Sequence, residues 1–164
     1  EAMEESSYAL SEASDKYLGG LYSAAGLSVS DSGFDSDAHD TFAEMLQKLE
    51  EEGVPADMPK WAVLSPATKA DLLKSDIDIK TDNLEELRTG QIGQYMGFDI
   101  YVSNNLNSDT DNMAGTYRAL GFAEQVLDTE SMRLEDSFSD AVRGLYVYGG
   151  KVVRANELLH LDTS

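Results

Sequence analysis

Apolar positions follow a helical rhythm over the first third of the chain and a strand-like rhythm over its second half. From Met3 to Ala25, the residues Met3, Leu10, Tyr17 and Leu21 recur at spacings of seven or four, with Ala9, Ala13 and Leu18 beside them. This spacing predicts one long helix with a narrow apolar stripe. Ser, Glu and Asp fill its other faces, so the helix is expected to lie across a surface instead of passing through a core. Gly26 to Ser36 is rich in Ser, Gly and Asp and reads as a loop. Asp37 is placed to cap a second helix, in which Phe42, Leu46 and Leu49 share a face with Met45 adjacent and Gly53 positioned to end it.

After a connector from Val54 to Pro59, Trp61-Ala62-Val63-Leu64 suits a short buried strand. Ser65-Pro66 supplies an N-cap followed by proline at the first helical position, opening a third helix through Leu72 and Leu73. Lys74 to Thr89 is polar and reads mainly as loop, with Leu84 and Leu87 able to anchor one short helical turn. Gln91 to Met96 and Gly97 to Ser103 predict two strands meeting at Gly97. Asn104 to Asn112 reads as a polar loop, and Tyr117 to Phe122 and Ser131 to Leu134 as strands flanking a short turn around Glu124 to Asp128. Leu145-Tyr146-Val147-Tyr148 and Lys151-Val152-Val153-Arg154 flank Gly149-Gly150, the strongest hairpin signal in the chain. Helices first and mostly strands afterwards indicate an α+β fold.

A chain of 164 residues has single-domain size, and buries roughly 70% of the surface that its unfolded form exposes. Charge changes the picture more than size does. Against 12 Lys and Arg stand 31 Asp and Glu, a net charge of −19, so phosphate backbones and anionic membrane surfaces repel the chain at long range. Neither sequence-specific nucleic-acid binding nor membrane binding is expected. Solubility at high salt and avoidance of polyanions both account for the acidity. There is no cysteine, which removes disulfides, thiolate zinc sites and cysteine nucleophiles together. No apolar run approaches the ~18 residues that a membrane span needs, and no basic n-region followed by an apolar stretch opens the sequence. The chain starts at Glu1, inside an amphipathic pattern, so further residues are expected upstream.

Candidate chemistry is thin. The two histidines, His39 and His160, stand at opposite ends of the chain on different predicted elements, a poor start for a metal site or a Ser-His-Asp system. With so many carboxylates, some pair always falls at a glycosidase-like separation, so acidic pairs single out nothing. The loops Asp31 to Asp40 and Asn104 to Asn112 concentrate oxygen ligands suited to calcium, yet neither has the Gly and distant Glu of an EF-hand. Gly90, Gly93 and Gly97 suggest a phosphate-cradling loop, but no Lys-Ser/Thr pair follows and the segment leads into strands. The stripe on the first helix has no Lys or Arg flanks and reads as a packing face. No catalytic, cofactor-binding or metal-binding residue is therefore assigned, and no cofactor or enzymatic activity is expected. An acidic hydrolase working through two carboxylates and a calcium-dependent binding module stand as alternatives.

A resemblance then adds to this reading. Gly90-Gln91-Ile92-Gly93-Gln94-Tyr95-Met96-Gly97-Phe98-Asp99-Ile100-Tyr101-Val102-Ser103-Asn104-Asn105-Leu106 resembles a stretch of many tailed-phage major capsid proteins: a glycine-bounded hairpin, Gly-Phe, an apolar strand and Ser-Asn-Asn. Ala119-Leu120-Gly121-Phe122-Ala123-Glu124-Gln125 resembles the family's strand leading into a short helix, and Phe138 to Arg154 its closing block. Trp61 to Leu73 is similar to the strand and helix before the hairpin, and Met3 to Ala25 to the end of the long spine helix. Ala155 stands where Pro commonly follows in the family.

The resemblance implies the Hong Kong 97-like major capsid fold, an axial domain plus a peripheral spine-helix and sheet domain, without its N-terminal arm, extended loop and the start of the spine helix. It implies three segments: the end of the spine helix, a loop and the second helix over 1–60, an axial-type domain over 61–140, and closing strands returning to the peripheral domain over 141–164. It further implies a shell subunit of a tailed phage or prophage, made in the host cytoplasm. Such subunits assemble with their own copies into pentamers and hexamers around double-stranded DNA, with scaffolding, portal or decoration proteins as further partners. A nanocompartment shell of the encapsulin type is the alternative within the same fold. Contacts between subunits are expected at Gly26 to Ser36, Lys74 to Thr89 and Asn104 to Asn112.

Overall fold

The computed structural model of the chain describes residues 2–75, 91–133 and 140–164. The first helix, α1 (Ala2–Gly19), stops earlier than its apolar spacing predicts and continues as a 3-10 turn, Gly20–Ala24. The cause lies at Gly19, where an added Cβ would stand 2.5 Å from the carbonyl oxygen of Asn105. The helix end is pressed against another backbone at a place only glycine fits, and two successive glycines favour the helix poorly.

The predicted loop from Gly26 to Ser36 instead holds strand β1 (Leu27–Ser30), which pairs in parallel with the last strand from Leu27↔Leu159 to Ser30↔Asp162. Its one deeply buried side chain, Val29, is flanked by serines, so the usual apolar signal of a strand is missing. Helix α2 (Phe34–Glu51) opens with a turn before Asp37, whose non-helical backbone (φ −115°, ψ 19°) marks a kink where two helical segments join, so the expected start at Asp37 holds for the longer segment and not for the first turn. Asp31 ties the helix start: one carboxylate oxygen accepts from the Gly33 amide at 2.8 Å, and the other accepts from the Thr41 hydroxyl. At the far end Gly53 has φ +85°, with its amide bonded to the Glu50 carbonyl and the Val54 amide to the Leu49 carbonyl. That is the Schellman arrangement, and Val54 and Leu49 are both buried in the same apolar cluster.

Strand β2 (Lys60–Leu64) and helix α3 (Pro66–Lys74) follow as predicted, and Ser65 accepts the Thr68 amide at 3.1 Å as N-cap. Strands β3 (Gln91–Tyr95) and β4 (Phe98–Val102) form the expected hairpin. Its two turn residues, Met96 and Gly97, have φ of 48° and 83°, as a two-residue turn matched to strand twist requires. Strand β5 (Asp111–Thr116) emerges from the end of the predicted polar loop.

Three expectations for the second half fail together. Tyr117 to Ala119 is a turn, not a strand, and strand β6 runs from Leu120 to Arg133. Glu124 to Asp128, expected as a short turn or helix, lies within that strand, which carries a bulge between Val126 and Asp128. Gly149-Gly150 is no turn either: strand β7 (Asp140–Val152) passes straight through it, pairing Gly150 with Phe122 and Gly149 with Ala123. Val153 and Arg154 leave the strand, a 3-10 turn spans Ala155–Glu157, and strand β8 (Leu158–Asp162) closes the fold. The helical turn suggested at Leu84 and Leu87, and Leu134, lie outside the described residues.

Six strands form one sheet in the order β1-β8-β5-β2-β4-β3, while β6 and β7 pair as a separate two-stranded ribbon. The sheet takes strands from each of the segments 1–60, 61–140 and 141–164. Helices α2 and α3 cover one face, where Phe34, Phe42, Met45, Leu49 and Leu72 meet Leu64, Phe98, Ile100, Leu159 and Leu161. The Phe42 ring packs edge-on to Tyr95 at 5.4 Å and tilted against Phe98 at 5.9 Å. Each such side chain contributes about 1.5–3 kcal/mol on burial. On the opposite face Trp61, Met113, Ala119 and Leu158 gather Tyr22 and Leu106 into a smaller cluster. Mixed helix and sheet around one main core is the α+β class that the order of elements predicts.

Candidate assembly surfaces

Two polypeptide crossings carry the ribbon on the sheet, β5 into β6 and β7 into β8. They are tied to each other. The Val153 and Arg154 amides both bond to the Ala119 carbonyl, at 2.8 and 3.2 Å. Glu157, almost wholly buried, accepts from the Thr116 hydroxyl at 2.5 Å, from Arg154 at 2.7 Å and from Arg118 at 3.2 Å. Burial pushes its carboxyl up, but the hydrogen bonds from Thr116 and Arg154 and the charges of Arg118 and Arg154 outweigh it, so its pKa lies below the usual value. Both crossings are thus fixed by one carboxylate. Gly115 allows this, since a Cβ there would meet the Glu157 carbonyl oxygen at 2.6 Å.

Above this base, α1 lies on one face of the ribbon. The Tyr17 hydroxyl donates to the Gly150 carbonyl at 2.9 Å, and its ring packs edge-on to Tyr148 with centroids 5.6 Å apart. A Cβ on Gly150 would meet Leu18 Cδ2 and the Gly121 carbonyl oxygen at 3.3 Å and Leu21 Cδ1 at 3.5 Å. Gly150 is therefore a place where the ribbon leaves room for the helix and the 3-10 turn after it. Tyr146 donates to Glu124 across the ribbon, and that bond, with burial adding to it, raises the phenol above its ordinary pKa. Between α1 and the sheet a cleft of ≈ 300 Å³ remains, lined by Leu18, Val63, Tyr101, Leu106 and Met113 with Asp15 and Asn105 at polar positions.

The segments expected to meet neighbouring subunits fall in different surroundings. Of Gly26 to Ser36, Leu27–Ser30 forms a sheet edge and Phe34 starts α2, which leaves Asp31 to Gly33 as the turn. Of Lys74 to Thr89, only Lys74 and Ser75 are described. Asn104 to Asn112 is tied down over much of its length. Asn112 is fully buried: its Oδ1 accepts the Ser65 amide at 2.8 Å and its Nδ2 donates to Thr68 and the Thr110 carbonyl at 3.0 Å. Asn107 donates to the Tyr22 hydroxyl and to Asp111, and Ser108 donates to Asp111 at 2.8 Å. What remains exposed is Asn104 and the crest from Asn107 to Asp109.

His39 is exposed on α2 with Nδ1 2.5 Å from the Tyr95 hydroxyl, and His160 on β8 lies 3.0 Å from Asp111 beneath the Tyr22 ring. The structure does not bring the two histidines into one cluster. Burial pushes the Asp111 carboxyl up, but hydrogen bonds from Asn107, Ser108 and His160 and the charge of His160 hold it below the usual range. In the proposed calcium loops, Asp31 spends both oxygens on Gly33 and Thr41, and Asp111 is bonded to Asn107, Ser108 and His160. Among the described residues no group of three or more acidic or histidine side chains is arranged to hold a metal ion. Gly93 and Gly97 belong to the β3–β4 hairpin, and Gly90 lies outside the described residues.

Glu157 and Asn112 are the structural centres that residue patterns do not reveal. The one available signal is a cluster of Arg118, Arg154 and Glu157 around two turns, visible only when the two crossings are known to adjoin.

Comparison with solved structures places this geometry among known folds. A protein of Mycobacterium phage Che8 superposes with a TM-score of 0.81 at 28% identity, over 99% of this chain and 62% of that one. The capsid structure of the cyanophage P-SCSP1u gives 0.65 at 13% identity, over 94% of this chain and 62% of that one. A virus-like particle from Pyrococcus furiosus gives 0.54 at 16% identity, over 83% and 54%. The last two likenesses are of fold alone, and the chain spans about 62% of the length of the first two proteins. No curated protein sequence matches the chain. The profile of one family, described as phage capsid protein, matches residues 1–159, and the chain belongs to that family.

Proposed function

We propose that the whole protein is a structural, non-catalytic subunit of a virus shell, located in the virion capsid and built to tile with its own copies. The observation that carries this reading is the match of residues 1–159 to the phage capsid protein family. The architecture supports it: a sheet body with a buried core and, cantilevered from it through two tied crossings, a helix-backed ribbon. A tile needs such stiffness, because small rotations between rigid units decide whether a lattice closes.

On this reading the axial-type domain is the six-stranded sheet with α2 and α3, and the peripheral domain is α1 with the β6–β7 ribbon. This division follows packing and departs from the segments 1–60, 61–140 and 141–164, since β1 and β8 lie in the same sheet as β2, β4 and β5. Closed rings of five and six copies, enclosed double-stranded DNA, and scaffolding, portal or decoration partners are the finer parts of the proposal. The net charge of −19 suits a container that must not trap a polyanion on its wall. The full-length protein, concentrated and viewed by electron microscopy, is expected to form closed shells or free capsomers. A protein that stays monomeric at every concentration overturns the reading, and shells filled with an enzyme instead of DNA would move it to the nanocompartment class.

A further inference from the structure

The ribbon has two faces, and α1 covers one. Along β7 the half-buried Tyr146, Tyr148, Gly150 and Val152 alternate with the exposed Leu145, Val147, Gly149 and Lys151, so the second set points away from the helix. Directly paired residues share a face. Gly121, Ala123 and Gln125 therefore join the outer side through their partners Lys151, Gly149 and Val147. Val147 is 47% and Leu145 55% exposed, and a Cβ on Gly149 would meet nothing within 4 Å.

The charge on this outer strip sets it apart. In a chain with 31 carboxylate side chains, none stands on the strip between the Gly121↔Lys151 and Gln125↔Val147 pairs. Acidic positions resume beyond the bulge, where Asp128 stands opposite Leu145. Lys16, Lys48, Lys74, Arg118 and Arg154 are each paired with a carboxylate; Lys151 has no such partner among the described residues, and unlike buried Lys60 and half-buried Lys69, which also lack one, it is exposed. The solvent side of α2 shows the opposite character, with Asp35, Asp37, Asp40, Glu44 and Glu50 all exposed.

We propose that this outer strip of the ribbon receives a second copy of the chain, apolar surface against Val147 and the small residues, with Lys151 set against a carboxylate of the incoming copy. The inference rests on the shell reading above and names the surface through which it works. Two chains that each carry −19 repel over acidic surfaces, and like charges brought together at an interface cost several kcal/mol. On this strip contact brings no two carboxylates together, and a lone ammonium there complements an acidic visitor. The small residues leave the backbone open to close approach.

The test uses the full-length protein. Val147→Asp is expected to raise the concentration at which capsomers or shells appear by about tenfold or more, and Lys151→Glu by a smaller factor, both with unchanged melting temperature of the unassembled protein. Photocrosslinking from p-benzoylphenylalanine at position 147, in a mixture of light and heavy isotope-labelled chains, is expected to give mixed-mass links. Val147→Asp assembling at the wild-type concentration overturns the inference. So do links confined to one chain, which would show an upstream segment covering the strip, or links to a different protein. A wild type that never assembles overturns the shell reading itself, and this inference with it.

Discussion

The sheet body and the helix-backed ribbon are built from the same chain on opposite terms. In the body, Phe42, Met45, Leu49, Leu64, Phe98 and Ile100 have no exposed surface. Buried Asn112 satisfies amide, hydroxyl and carbonyl partners around it. The ribbon leaves Phe122, Leu145 and Val147 open to solvent and meets the rest of the molecule through α1 and its tied base. An isolated two-stranded ribbon is marginally stable in water, so this one depends on α1 and the body for its order. The difference assigns stability to the one region and surface to the other.

The largest expected effect follows from cutting the body. Phe42→Ala removes the ring at the centre of Phe34, Tyr95 and Phe98, and is expected to cost about 3–5 kcal/mol of unfolding free energy, read in denaturant melts. A loss under about 1 kcal/mol would show that the core does not carry the fold. Next comes Gly150→Val, whose branched side chain must displace Leu18, Leu21 or the Gly121 carbonyl; overpacking of this kind costs about 1–3 kcal/mol. Its mark is local: amide exchange should accelerate across residues 7–18 of α1 and stay unchanged in α2. Equal acceleration in both helices would break the distinction between the regions.

Glu157 tests the link between them. Its folded pKa is depressed, so the stability it contributes is present above the unfolded glutamate pKa and is lost as pH falls through the folded value. Both arginines that face it are about half exposed, and solvent screening reduces the contribution to about 1–2 kcal/mol. Glu157→Gln is expected to lose that amount at neutral pH and to flatten the acid limb of the stability profile. A variant with the wild-type acid limb would show that Glu157 is not what ties the ribbon's base.

How much of this was legible in the residues depends on whether the deciding contact is local. Ser65-Pro66, Gly53 and the Met96-Gly97 turn announce themselves because capping and turn geometry depend on neighbours a few residues away. Gly149-Gly150 misleads for the opposite reason. Two β-branched and aromatic runs around a glycine pair read alike whether the chain turns there or runs on, and what decides is α1, more than a hundred residues earlier, needing room at Gly150. Strands β1 and β5 hide because β1 shows one buried residue between serines, and β5, buried on both faces, uses Asn112, Ala114 and Gly115 where volume is short. The order of elements announced the α+β body, but the residue pattern put a short turn at Glu124 to Asp128 and the phage-capsid resemblance a short helix after Ala119, where the cross-strand pairing with β7 holds the backbone extended. Surfaces for assembly are least legible of all, since a loop rich in Asn and Ser looks free until its partners are known.

The smallest expected effect sharpens the comparison most finely. Tyr17→Phe removes one hydroxyl and keeps the ring, so the edge-on contact with Tyr148 at 5.6 Å survives while the 2.9 Å bond to the Gly150 carbonyl does not. That bond is exposed, and water can replace the donor, which places the cost at the low end of the usual range, about 0.5 kcal/mol. If the hydroxyl acts only as a tether, a cycle with Tyr148→Leu should give nearly additive losses, because the ring pair and the hydrogen bond hold the ribbon separately. Strong coupling would mean instead that the ring is seated by its hydroxyl. The helix would then grip the ribbon as a single latch at Gly150, and a ribbon so latched would move with α1 when copies of the chain come together.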